Sequence, residues 1–203
     1  IKTMFEALDA NIEKTIAIYD VEKNQYVYSN EMMIDLGFEA NTQISPMQGF
    51  FLNLKSGSSL NSGINYEKAV YNNPNLEAGH GGLYAPARQT EVNANTVAIS
   101  VEANGNADCI TLVEKENLSD DFENGFDATK LMNESNLNLY ANTTAGQLGI
   151  VATNDMAGTA MDFQSNDATQ YTMTFSHVNG QVYELLDVMT GVRTRMENGA
   201  SYT

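Results

Sequence analysis

Four acidic side chains crowd one short stretch, "SDDFENGFD": Asp120, Asp121, Glu123 and Asp127. Hard cations such as calcium draw several oxygen ligands from a loop of this kind. The spacing is not that of an EF-hand. Asp120, Asp121 and Asp127 therefore form a calcium candidate, set against the plainer reading of a solvated acidic loop. No other cofactor is implied.

The remaining reactive side chains are scattered. His80 lies in "AGHGG", residues 78–82, a stretch like the oxyanion loop of esterases. That chemistry needs a Gly-x-Ser-x-Gly elbow, and the chain has none. His177 sits in a strand-like run near a turn. The single cysteine, Cys109, lies in "DCITLV" and reads as a small core residue; no internal disulfide and no cysteine-rich metal site can be built from it. There is no phosphate-binding glycine loop, no zinc-type His/Cys cluster and no sustained heptad. The sequence predicts no enzyme. Tyrosines crowd the first half, and Tyr26 and Tyr28 share one face of a strand-like run. Exposed, such a pair could stack on sugar rings; buried, it is ordinary core. Asn-x-Ser/Thr triplets at Asn117, Asn133 and Asn142 carry no weight as glycosylation sites in a chain so rich in asparagine.

Charge narrows the partners. Lys and Arg total 10 against 26 Asp and Glu, a formal charge of −16 over 203 residues. Nucleic acid needs a basic footprint, and anionic lipid surfaces need a polybasic patch. Neither is present. No apolar run approaches the roughly 18 residues that span a bilayer as a helix, and no signal peptide is seen. The chain opens on Ile1 rather than Met, as a trimmed or excised piece would.

Elements able to position these residues are mostly strands. "MFEALDANIEK" has Phe5, Leu8 and Ile12 at helical spacing and predicts a short amphipathic helix. "TIAIYD" and "QYVYSN" around "VEKN" predict a hairpin. In "ISPMQGFFLNLK", Phe50, Leu52 and Leu54 alternate with Phe51 and Asn53, and a further run near Ser59–Tyr66 closes a first sheet. Both phenylalanines are buried only if each face of that strand is covered, and each buried ring is worth about 1.5–3 kcal/mol. Residues 67–90 hold two of the three prolines and read as a linker, with a boundary near Pro86. Two more hairpins are predicted around Asn104-Gly105 and Asn179-Gly180. In "YTMTFS", Tyr171, Met173 and Phe175 fall on one face, the pattern of an antiparallel sheet over a core. Shorter strands are expected at Leu137–Ala141 and Gln147–Ala152, with loop and helical turn before them.

"TIAIYDVEKNQYVYSN…ISPMQGFFLNL" resembles a β-sandwich module of cell-surface and secreted proteins of Bacteroidetes, with Ile44, Pro46, Gln48, Gly49, Phe50 and Phe51 on the motif positions. "DFENGFDATKL" and "YTMTF…VNGQVYELLDVMTG…ENGASYT" resemble the module that follows it in such proteins. In that pattern Phe126 and Leu131 pack and Asp127 caps a short helix. The resemblance implies an extracellular tandem region, often exported by the type IX route, without enzymatic activity. Two of its features are missing, an upstream "GNPY" stretch and a final continuing strand.

The expectation is thus an all-β chain of two β-sandwich modules, jelly-roll or Ig-like, with short helical turns, spanning 1–85 and 86–203. Its expected role is structural or adhesive, at a bacterial cell surface or secreted, with other domains or subunits of a surface assembly as partners. The alternative is a carbohydrate-binding accessory module using Tyr26 and Tyr28, with glycans as partners.

Overall fold

The computed structural model describes residues 1–38, 44, 48–59, 94–133, 137–166 and 168–203. The AGHGG stretch, Pro46, the expected boundary near Pro86 and nearly all of the predicted Ser59–Tyr66 run lie outside these residues. Within them the fold is all-β, with two five-residue helices, α1 (Lys2–Glu6) and α2 (Glu31–Asp35). No helix is long and apolar enough to cross a membrane.

A three-stranded antiparallel sheet comes first, in the order β2 (Gln25–Asn30), β1 (Ile12–Asp20), β3 (Phe51–Leu54). The β1–β2 hairpin forms as the sequence predicts, with Asp20 paired to Gln25. Its turn is set by the Asp20 carboxylate, which accepts from the backbone N–H groups of Glu22 and Lys23, and by Asn24 at φ 57°. The predicted helix through Ile12 is cut short. Asp9 accepts from Asn11 N–H through its side chain and from Ile12 N–H through its carbonyl, and this turn sends Ile12 into β1.

The larger sheet runs β13 (Ser201–Tyr202), β10 (Thr172–Asn179), β4 (Asn95–Ala103), β5 (Asn106–Glu114), β8 (Gly146–Thr153), β7 (Asn138–Thr143), β9 (Ala160–Gln164). A two-residue strand, β6 (Ala128–Thr129), also pairs with β8. The β4–β5 hairpin turns on Asn104 and Gly105, both at positive φ, as a two-residue turn requires. Most neighbours are antiparallel, but β5 and β8 run parallel, with Thr111 opposite Ile150.

The hairpin predicted around Asn179-Gly180 does not form. β10 pairs with β4 and β13, whereas β11 (Glu184–Leu186) pairs with β12 (Arg193–Arg195) in a separate two-stranded sheet. The Asn95 side chain explains the exit: it accepts from Gln181 N–H at 2.9 Å and draws the chain off the sheet after Asn179. His177, at φ 51°, accompanies a register break just before that point.

The larger sheet is buried on both faces. Val97, Ile99, Val101, Leu112, Leu139 and Phe175 point to one side, with Leu185 and Met196 of the β11–β12 region over them. On the other side Val113, Ile150 and Ala152 pack against Ala17, Tyr28, Met32, Met33 and Phe38. The first sheet and α2 therefore share a core with the larger sheet. A third cluster, Phe5, Ile16 and Ile18 with partly buried Phe50, Leu52 and Ile44, lies between α1 and the first sheet's far face. Phe50 is covered in this way; Phe51 is half-exposed and its ring stands edge-on to Tyr26.

A shared core predicts shared stability. Ile150→Ala removes a side chain that is 1% exposed. It is expected to cost about 2–5 kcal/mol and to move the unfolding of both sheets together. Urea denaturation followed by fluorescence of tyrosines in each half reads this out, and displacement of only one half's transition would refute it.

Candidate functional site

The acidic loop is turned to internal use. Asp127 is buried, and its two carboxylate oxygens accept from Glu123 N–H at 2.7 Å and Ala152 N–H at 2.8 Å. Asp120 accepts from the Thr153 hydroxyl at 3.1 Å, and Glu123 from Ser119 N–H at 2.8 Å. Asp121 is exposed on the surface. Among the described residues no group of three or more His, Cys, Asp or Glu is placed to hold a metal ion. Asp127 stands ahead of the short strand β6 instead of capping a helix.

The same loop straps the two sheets together. Asn124 accepts from Lys14 N–H at 2.6 Å, and Thr15 donates to the Asp127 carbonyl. Glu13 accepts from both the hydroxyl and the N–H of Thr129. Asn30, fully buried, caps α2 through Met33 N–H and donates to the Phe126 carbonyl at 2.6 Å.

The predicted tyrosine pair is split by environment. Tyr28 is 6% exposed; its hydroxyl accepts from Leu131 N–H at 2.7 Å, and burial pushes its pKa far up. Tyr26 is half-buried, edge-on to Tyr19 at 5.1 Å and to Phe51 at 5.4 Å, so that three rings form a ladder on the first sheet. Cys109 is partly buried, and burial pushes its thiol up to about 11. His177 stacks on Phe38 with ring centres 4.8 Å apart.

A large concavity lies on the opposite face. The β11–β12 ribbon covers only part of the apolar surface offered by Ile99, Leu112, Leu139 and Met173, leaving a groove of about 1520 Å³. Five of the chain's 10 methionines line it: Met156, Met161, Met173, Met189 and Met196. Methionine is flexible and polarizable, so such a surface adapts to an incoming apolar chain. Val188 and Met189, at the ribbon's tip, are 85% and 92% exposed, and Phe163 on the edge strand β9 is 40% exposed. Arg193 and Arg195 stand on the rim, paired with Glu184 and Glu197.

Tyrosine–carboxylate contacts fix the ribbon. Tyr183 donates to Glu114 at 2.6 Å, and Glu114 also accepts from Met156 N–H and Asn95. Burial works against the Glu114 charge, yet these three donors together hold it below the usual carboxylate range, while burial and this bond push Tyr183 up to about 12. Tyr202 donates to Asp187 at 2.5 Å, which with the Thr190 hydroxyl lowers Asp187 to about 2. Sequence reasoning did not find this groove. The clue available was an excess of methionine in the second half, which periodicity alone assigns to core.

No family model matches the chain, and no solved structure matches it. Comparison with known proteins finds it 25% identical over 169 residues to the minor fimbrium subunit Mfa5 of Porphyromonas gingivalis. The match covers 79% of this chain and spans 14% of the relative's length.

The strap carries a pH signature. Burial, together with nearby Glu123 and Glu13, raises Asp127 to about 6 against its two N–H donors. A carboxyl raised in the folded state binds its proton more tightly there than in the unfolded chain. Its contribution therefore favours folding below about pH 4 and is lost as pH rises through about 6. Asp127→Asn is expected to melt lower at every pH, yet to show a flatter change in melting temperature between pH 4 and 7. Equal slopes in the two proteins would refute the assignment.

Proposed function

We propose that this chain is a non-enzymatic structural or adhesive unit of a bacterial surface or secreted protein, and that it works by holding neighbouring domains or subunits. The Met-rich groove carries the reading: a sheet face that is apolar but only partly roofed is a seat for an extended segment of another subunit. Similarity to a fimbrium subunit supports an assembly role outside the cell. The arrangement as tandem β-sandwich modules, 1–85 and 86–203, and export by the type IX route belong to the same proposal. The QGFF stretch, Gln48–Phe51, which leads into β3, then pins the first sheet by its Phe50 side, and Phe51 stays half-exposed toward a neighbour.

Carbohydrate binding is the second reading, favoured by the Tyr19–Tyr26–Phe51 ladder, whose Phe51 end is half-exposed. Stacking on a sugar ring would use Tyr26 and Phe51, while Tyr28 serves the core beneath.

Two variants separate the readings in the full-length protein on its own cells. Met189→Asp with Phe163→Asp is expected to reduce incorporation into high-molecular-weight surface material several-fold without lowering the melting temperature. Normal incorporation would remove the assembly reading. Tyr26→Ala is expected to leave assembly intact, and a glycan array on which the unaltered protein binds nothing removes the carbohydrate reading.

A further inference from the structure

Lys130 and Asp108 are shut away from solvent, with side-chain exposures of 0% and 4%. Lys130 follows β6 and is anchored by its own N–H on the Gln147 carbonyl of β8. Asp108 projects from β5. The Lys130 Nζ lies 2.7 Å from Asp108 Oδ1 and 2.6 Å from Oδ2, under the ring of Tyr28 at 5.5 Å. Oδ2 also accepts from Leu139 N–H, on β7, at 2.7 Å.

A dry pair of this kind carries a heavy desolvation penalty as ions. Transfer of one proton from nitrogen to oxygen leaves an amine against a carboxylic acid, and burial does raise the Asp108 carboxyl above its usual range despite Lys130 beside it. The neutral pair is a nucleophile held in contact with an electrophile, and such confinement replaces a very high reactant concentration. Leu139 N–H is aimed at the oxygen on which negative charge would grow.

We propose that Lys130 and Asp108 condense to an intramolecular amide, a covalent tie between β5 and the segment that follows β6. The Nζ lone pair forms the bond to Cγ, and Oδ2 takes the charge on the Leu139 N–H. One amine proton passes to the Oδ1 hydroxyl, the Cγ–Oδ1 bond breaks, and water leaves. Amine and acid become amide and water, with no oxidant or further reactant. The tie closes a covalent loop from Asp108 to Lys130 that contains the strap residues Asn124 and Asp127.

Intact mass of the purified 203-residue chain, measured fully denatured, tests the proposal. The expected value is about 18 Da, one water, below the sequence mass, with a branched peptide joining the Lys130 and Asp108 fragments. Lys130→Arg keeps a cation and is expected at its full sequence mass. Unaltered protein at full mass after prolonged incubation at neutral pH overturns the proposal. So does the same loss traced to another place, such as an aspartyl succinimide, or its persistence in Lys130→Arg. The decisive reading is made on unaltered protein and does not depend on either variant folding.

Discussion

A central sheet that is apolar on both faces must be covered twice, and the rest of the molecule follows from how this is done. Strands β4, β5 and β8 carry hydrophobic side chains to each side in turn, where a one-faced antiparallel sheet would expose its alternate residues. The first cover is the N-terminal sheet with α2. Its contact depends on Tyr28, whose ring lies flush against the backbone at Gly149. A Cβ there would stand 3.0 Å from Tyr28 Cε2, so any larger residue would push the ring back by a few tenths of an ångström. The polar strap then fixes what apolar packing leaves free, since hydrophobic contact has no directional preference. Asn124, Asn30 and Glu13 tie the first sheet to the strap, and Asp127 ties the strap to β8.

The second cover is deliberately small. Two three-residue strands cannot roof a sheet of this width. The ribbon is kept in place by Tyr183 on Glu114 and by Tyr202 on Asp187, not by extensive burial. A roof hung on two polar latches leaves Met161 and Met173 of the floor partly accessible, and this is what distinguishes the groove from unfilled core. The two faces thus divide the labour: one is sealed and strapped, the other is closed only at its edge.

Much of the fold was legible in the sequence. Hairpins at Asp20–Gln25 and Asn104–Gly105 are encoded locally, because Asp, Asn and Gly dictate turn geometry without help from distant residues. The equally strong Asn179-Gly180 signal misled, since Asn95, far away in the chain, captures the backbone at Gln181. The parallel pairing of β5 with β8 was likewise invisible: it joins segments separated by the whole strap. At the sites, residue type announced the acidic loop but not its orientation, and Asp127 turned out to serve the chain's own N–H groups. Tyr28 and Tyr26 share a strand face by period, yet only the sheet laid against them decides that one is core and the other a ladder rung. Nothing in the sequence singles out Lys130; its enclosure depends on β5 and β7, which meet it only in three dimensions.

Charge completes the logic of the two faces. The chain carries −16, and one of its ten basic side chains, Lys130, is enclosed beside Asp108 in the interior. Among the described residues β9 and β13 end the larger sheet, and sheet edges are ready templates for unwanted pairing. A strongly negative exterior opposes encounter between copies at long range, while leaving short-range apolar contact in the groove untouched. The described guanidinium groups, Arg193 and Arg195, stand at that groove's rim. Each already has an acidic neighbour, but exposed pairs of this kind exchange partners at little cost. Asp162, Glu184 and Asp187 line the groove with them, so its charge is mixed, and what it offers an incoming segment is chiefly its apolar floor.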